Sequence, residues 1–135
     1  MNPIKQLDFN YGLENENNIL SLLKEFFKDD TIQKSKSPTA PFDFEGNNIC
    51  IELKSRRNLS SAYPTTIIGT SKFKSLRSDC DYYCVFKFTD QILYTKYDPV
   101  LFQQYEIKPV VRKDRGKIER QQYFHIPINS LQLIN

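Results

Sequence analysis

Phe42-Asp43-Phe44-Glu45-Gly46-Asn47-Asn48-Ile49-Cys50-Ile51-Glu52-Leu53-Lys54 is the stretch that decides the fold. Ile49, Ile51 and Leu53 alternate with Cys50, Glu52 and Lys54, which is the period of a β-strand with one apolar face. Phe42 and Phe44 alternate with Asp43 and Glu45 in the same way. The turn Glu45-Gly46-Asn47-Asn48 between them predicts a hairpin, with Gly and Asn suited to positive φ. Pairing Glu45 with Asn48 puts Phe44 opposite Ile49 and Asp43 opposite Cys50. Asp43 then shares a face with Glu52 and Lys54. A slip of one residue would turn both phenylalanines onto the polar face, so hydrophobicity defends the arrangement.

Two carboxylates and a lysine on one face are what metal-assisted phosphodiester cleavage requires. Carboxylates hold a hard divalent cation through oxygen. The lysine polarises an attacking water or stabilises charge building on phosphorus. Glu-x-Lys on a strand is also a common solvated pattern, so the motif is weighed with its surroundings.

Residues 12–30 carry an amphipathic helical pattern. Leu13, Leu20, Leu23 and Phe27 make one stripe, with Ile19 and Phe26 beside it. Glu16 falls inside the stripe, where a carboxylate is costly unless paired or bound to metal. Glu14 falls on the wet face. The alternative for Glu16 is a place at the stripe's edge with its head in water. Downstream, Lys54, Arg56, Arg57, Lys72, Lys74 and Arg77 form a cationic segment with no acid among them, in a chain of net charge only +3. That segment suits a polyanion approaching the acidic pair, or it is a solvated basic loop.

Gly12-x-x-x-Glu16 on a first helix, then Asp43, then Glu52-Leu53-Lys54 on a hairpin, resembles the PD-(D/E)XK nuclease superfamily. The likeness is close over the first half of the chain and one of general plan over the rest. It implies an α/β fold with a restriction-endonuclease-like α-β-β-β-α-β core, a central mixed sheet flanked by helices. It also implies Mg²⁺-dependent hydrolysis of DNA by a metal-activated water, with Mn²⁺ as a substitute ion. By this resemblance Asp43 and Glu52 look like metal ligands, Lys54 the catalytic lysine and Glu16 an accessory acid that also reaches the metal. Lys72, expected on a helix after the core strands, is similar to a basic residue that some members place near the site. The sequence departs at the Pro-Asp step, where Phe42 separates Pro41 from Asp43, and this leaves Glu45 as a second candidate ligand. The implied partner is DNA, duplex or branched. Arg56, Arg57, Tyr63, Lys72, Lys74 and Arg77 are the candidate contacts. A two-fold homodimer would be the simplest route to double-strand cleavage, and nicking by a monomer fits the motif equally. The rival readings are a nuclease-like fold that binds nucleic acid without cutting it, and a structural domain in which Glu-Leu-Lys is accidental.

At 135 residues the chain reads as one domain spanning 1–135, with 39% hydrophobic and 13% aromatic residues to fill a core. No stretch has the length and apolarity of a membrane span, and no signal pattern stands at the N-terminus. Cys50, Cys80 and Cys84 lack metal-ligand spacing and read as reduced residues of an intracellular protein, in cytoplasm or nucleus. His125 is the single histidine, which disfavours a histidine-based centre, and it reads as structural. Residues 31–41 and 55–68 read as loops. Tyr63, Thr65 and Thr66 in the second either contact nucleic acid or merely connect. Residues 69–77 read as a short helix, and residues 83–88 as a buried strand with a hairpin partner over 91–97. A second, polar hairpin is expected from 105–113 and 117–126, as an arm over nucleic acid, a dimer contact or a solvated excursion. The chain should end in a strand and a short helix.

Overall fold

The computed structural model describes residues 16–37, 40–74, 76–114 and 117–134, with the side chains of residues 16, 17 and 111–120 left outside the description. The fold is α/β, with a mixed sheet and few helices. Helix α1 spans Glu16–Phe27. Strands β1 (Gln33–Lys34), β2 (Phe44–Glu45) and β3 (Ile49–Ser55) follow. Next come β4 (Thr65–Gly69) and a 3-10 turn at Thr70–Phe73. Strands β5 (Asp81–Lys87) and β6 (Ile92–Lys96) lead to the short helix α2 (Pro99–Phe102). The long strands β7 (Glu106–Asp114) and β8 (Lys117–Pro127), a 3-10 turn at Ile128–Ser130 and β9 (Gln132–Leu133) complete the order.

Six strands form one sheet in the order β1-β2-β3-β5-β6-β9, in which only β3 and β5 run parallel. β4, β8 and β7 form a second, antiparallel sheet. The larger sheet is covered on both faces. On one, Ile19 and Leu23 of α1 pack with Phe44, Ile49, Ile51, Val85 and Ile92. Phe26 and Phe27 add edge and tilted ring contacts to Tyr94 and Tyr83, at 5.1 and 4.7 Å. On the other, Cys84, Phe86, Phe88 and Leu93 meet Ile68 and Ile126 of the second sheet and Phe102 of α2. Asp98 caps α2 by accepting from the Val100 amide at 2.9 Å, with Pro99 in the first turn where its missing N–H costs nothing. No helix among the described residues is long and apolar enough to cross a membrane.

The hairpin forms where the alternation predicts it, with its register moved. Phe44 pairs with Ile51 and Glu45 with Cys50, two residues along from the expected pairing. A two-residue shift conserves the faces, so Asp43 still belongs with Glu52. Continued by one residue, this register sets Asp43 directly opposite Glu52. Gly46 is required for a different reason from the one expected. Its φ is not positive, and a Cβ there would come within 2.8 Å of both Ile49 Cγ2 and Thr31 Oγ1. Thr31 Oγ1 also accepts from the Asn47 amide at 3.0 Å, which ties the hairpin tip to the end of α1's connection.

Other expectations are corrected. Within the stretch read as a loop, residues 65–69 form β4, paired with β8 from Thr65↔Pro127 to Gly69↔Tyr123. Thr-Thr-Ile-Ile is a β-branched run that fits a pleated, half-buried surface. The helix expected over 69–77 is a single 3-10 turn, so the crossover between parallel β3 and β5 carries a strand and a turn among its described residues. The closing helix is also a 3-10 turn, followed by β9, which pairs with β6. The second hairpin is present as β7 and β8, and β4 joins it, so its inner face packs on the core at Phe124 and Ile126 rather than being polar throughout. Of the predicted helix, residues 12–15 lie outside the described residues, as do the side chains of Arg112, Lys113, Lys117 and Arg120.

Candidate active site

β3 is paired on both edges, by β2 and β5, and with α1 on one face of the sheet and the second layer on the other, Cys50 and Glu52 are buried along with Ile49 and Ile51. The polar face expected to be wet is therefore interior at Glu52, which is 4% exposed. Glu52 sits opposite Cys84, and Lys54 opposite Phe86. Both point away from α1, toward the layer that holds the second sheet.

Burial pushes the Glu52 carboxyl above the usual carboxylate range, and nearby Asp43 pushes in the same direction. Lys72 and Lys54 oppose the shift. The Lys72 ammonium lies 2.9 Å from Oε2, and that of Lys54 lies 3.6 Å from Oε1. The close Lys72 contact is an ion pair out of line for a hydrogen bond, and Oε2 is left with no aligned donor among the described residues. Lys72 itself is held from two other sides. It donates to the Pro41 carbonyl at 2.7 Å and lies 5.7 Å from the centroid of the Phe42 ring. The 3-10 turn after β4 thus brings Lys72 nearer to Glu52 than Lys54 is.

Asp43 is exposed and precedes β2. Its Oδ2 accepts from the Leu53 amide at 2.8 Å, which clips the strand entry to β3 beside Glu52. One carboxylate is therefore buried and the other solvent-facing. Glu45 lies one strand position further on, opposite Cys50. Glu16 opens α1, whose described side chains pack on the Ile49/Ile51 face of the sheet, and its own side chain lies outside the described residues.

The donors present are oxygens, which suits a hard cation. No group of three or more His, Cys, Asp or Glu able to hold a metal occurs among the described residues. That is poor for zinc and compatible with Mg²⁺, which is commonly held by one or two carboxylates while water and substrate phosphate fill its other positions. The cysteines are free, and burial pushes the thiols of Cys50 and Cys84 up to about 11 and about 12.

Beyond Lys54 and Lys72 opens a cleft of about 710 Å³ between the end of β3 and the outer face of the second sheet. Lys54, Arg56 and Lys72 line it, and among the described residues no carboxylate does. Arg56 is committed to the fold, donating to the Ile67 carbonyl at 2.7 Å and to Thr66 Oγ1 at 3.4 Å, which ties the end of β3 to β4. Tyr63 is on the rim. Arg57, Lys74 and Arg77 are exposed but do not line the cleft, and Arg77 instead donates to Cys80 Sγ at 2.7 Å. The cationic segment is thus divided by the fold. His125, Gln121 and Tyr123 line the cleft without having been singled out for it. Their signal was the period-2 spacing of 121, 123 and 125, which becomes informative only once β4 is known to cover the other face. No protein-family model matches this chain, and no curated protein sequence matches it.

Proposed function

We propose that the chain is a divalent-cation-dependent endonuclease acting on DNA, built on a PD-(D/E)XK-like core. The observation that carries this reading is the buried Glu52 beside Asp43, flanked by Lys54 and Lys72 at the mouth of a cationic cleft. A buried carboxylate set against a second one is costly for folding, and such clusters of perturbed groups concentrate at functional sites.

Asp43 and Glu52 would hold Mg²⁺, or Mn²⁺ in its place. The cation would neutralise the phosphate and activate a water for attack. Lys54, half-exposed at the end of β3, stabilises charge on the scissile phosphate. Lys72 balances Glu52 in the free protein and turns to the phosphate once that balance is taken over. The sheet contributes rigidity: β3 is hydrogen-bonded on both sides, so the two carboxylates and Lys54 need no rearrangement when substrate arrives.

The test is incubation of supercoiled plasmid and a four-way junction with Mg²⁺, with Ca²⁺ and with chelator. Cleavage in Mg²⁺, binding with little cleavage in Ca²⁺ and no cleavage in chelator are expected. DNA binding without cleavage under every condition would replace the nuclease reading with that of a binding module. The close Lys72–Glu52 pair is the observation that favours this second reading.

A further inference from the structure

The geometry points to the cleft as a subsite for an unpaired nucleotide, a strand segment splayed out of a duplex beside the scissile phosphate. The inference rests on the nuclease reading only for the phosphate end, at Lys54 and Lys72.

β4 and β8 alternate cleanly about their shared plane. Ile68 and Ile126 face the core and are fully buried. Ile67 and Gly69 pair with His125 and Tyr123 on the opposite, cleft-facing side. Gly69 leaves the floor open there. A Cβ at this position would stand 3.8 Å from Tyr123 Cε1, Gln121 Oε1 and Ser71 Oγ, in ordinary contact and in the space of the cleft. The floor is therefore an aromatic ring, a side-chain amide and an imidazole, with cations confined to the mouth. The fold leaves His125 Nε2 buried and without a hydrogen-bond partner among the described residues.

Tyr63, 65% exposed, lines the same cleft. An exposed aromatic is ordinarily of little note, but its loop is built to hold it. Ser60 donates through its amide and its hydroxyl to Asp90, at 2.8 and 2.7 Å, and accepts from Gln91 Nε2 at 2.7 Å. The Thr89 amide donates to the Asn58 carbonyl at 3.1 Å, and the Ile128 amide to the Pro64 carbonyl at 2.9 Å. Tyr63 is thus presented from a loop pinned on both sides. The combination of an anchored aromatic, a polar floor and a mouth at Lys54 and Lys72, whose ammonium groups flank Glu52, matches one ligand chemistry: a base that stacks, an edge that hydrogen-bonds and a phosphate. The volume lies inside the span of ligand sites, about 300–1,000 Å³. A paired base cannot offer both its face and its edge to such a cleft, so the occupant is unpaired.

Fluorescence anisotropy in chelator tests this without any dependence on metal or turnover. The probes are a labelled blunt DNA duplex, the same duplex with a thymidine overhang, and an RNA strand of the overhang sequence. The overhang duplex is expected to bind about ten-fold more tightly than the blunt one, the scale of one stacked base. Tyr63→Ala should remove that preference and Tyr63→Phe should keep it. Gly69→Val, which fills the floor, should also remove it, with its thermal melt recorded alongside. Should Gly69→Val fail to fold, the Tyr63 pair still decides. Equal binding of blunt and overhang duplexes by the wild-type protein overturns the subsite, even if Mg²⁺-dependent cleavage is found. An overhang preference that survives Tyr63→Ala overturns it as well. Preference without cleavage leaves the subsite standing and removes the nuclease reading. Tighter binding of the RNA strand than of the DNA overhang assigns the subsite to RNA and overturns it for DNA.

Discussion

The two sheets meet at the cleft and bring different things to it. The six-stranded sheet is buried on both faces, and from its interior β3 delivers Glu52 and Lys54, with Asp43 clipped alongside by the Leu53 amide. The three-stranded sheet packs one face on the core, and its other face offers Tyr123, Gln121 and His125 to the cleft, with Glu106 opposite His125. Positions hydrogen-bonded and packed on every side hold reacting groups within the tolerance that chemistry demands. A sheet with one open face can vary its exposed residues without disturbing its core, which suits recognition. On the proposed reading, chemistry falls to one layer and substrate choice to the other.

The sharpest way to break this division is to remove side chains from each layer and compare turnover. Asp43→Ala, Glu52→Ala and Lys54→Ala should each lower Mg²⁺-dependent cleavage by at least about 10²–10³-fold, the loss associated with removing one charge-stabilising group. Gln121→Ala, on the open face, should alter affinity for DNA more than the rate at saturation. Single-turnover cleavage, with circular dichroism to confirm folding, measures both. A rate loss at Gln121 equal to that at Lys54 would mean that the second sheet takes part in the chemistry.

Lys72 is the residue that joins the two layers, since it follows β4 and pairs with Glu52 of β3. If its ammonium balances the carboxylate that a cation would otherwise occupy, removing it should strengthen cation binding. Calorimetric titration of Lys72→Met with Mn²⁺ should show affinity up to about five-fold tighter than wild type, the scale of 1 kcal/mol for a partly exposed ion pair. Lys54, farther from Glu52 at 3.6 Å, should show a smaller change when replaced in the same way. Unchanged or weaker Mn²⁺ binding in Lys72→Met would show that Lys72 does not compete for the carboxylate.

The larger sheet was more legible in the sequence than the smaller. Phe44, Ile49 and Ile51 alternate so that the hairpin follows from local pattern, whereas Phe42, expected beside Phe44, packs instead with Cys50 and Tyr82. The hairpin's register was not legible, because the tip is closed by Thr31, which the turn residues do not reveal. Nor was the burial of Glu52. That depends on parallel β5 and on the layer beyond it, and parallel pairing leaves no turn to read. β4 was missed because Thr65 to Gly69 follows a polar loop and its partner β8 lies far along the chain. The open face of the second sheet was lost with it. His125 then read as merely structural, and Tyr63 as a candidate nucleic-acid contact without a cleft to line.

The smallest expected effect concerns what Glu52 costs the layer that holds it. Burial raises its pKa in the folded protein above the ordinary 4.5, so the folded state holds the proton more tightly than the unfolded chain does. The stability that goes with a neutral Glu52 is present in full below 4.5 and is lost as pH rises through the raised value. Above the raised value the protein carries an ionised carboxylate at a cost that Lys72 and Lys54 oppose. Glu52→Gln resembles the neutral form at every pH. It should unfold at a higher temperature than wild type at neutral pH, and the difference should shrink as pH falls through the raised value and be gone below 4.5. Thermal melts of the two proteins across that range check this. A lower melting temperature for Glu52→Gln at neutral pH would mean that the two lysines more than offset the burial, and that Glu52 is a structural ion-pair partner rather than a group held at a cost for function.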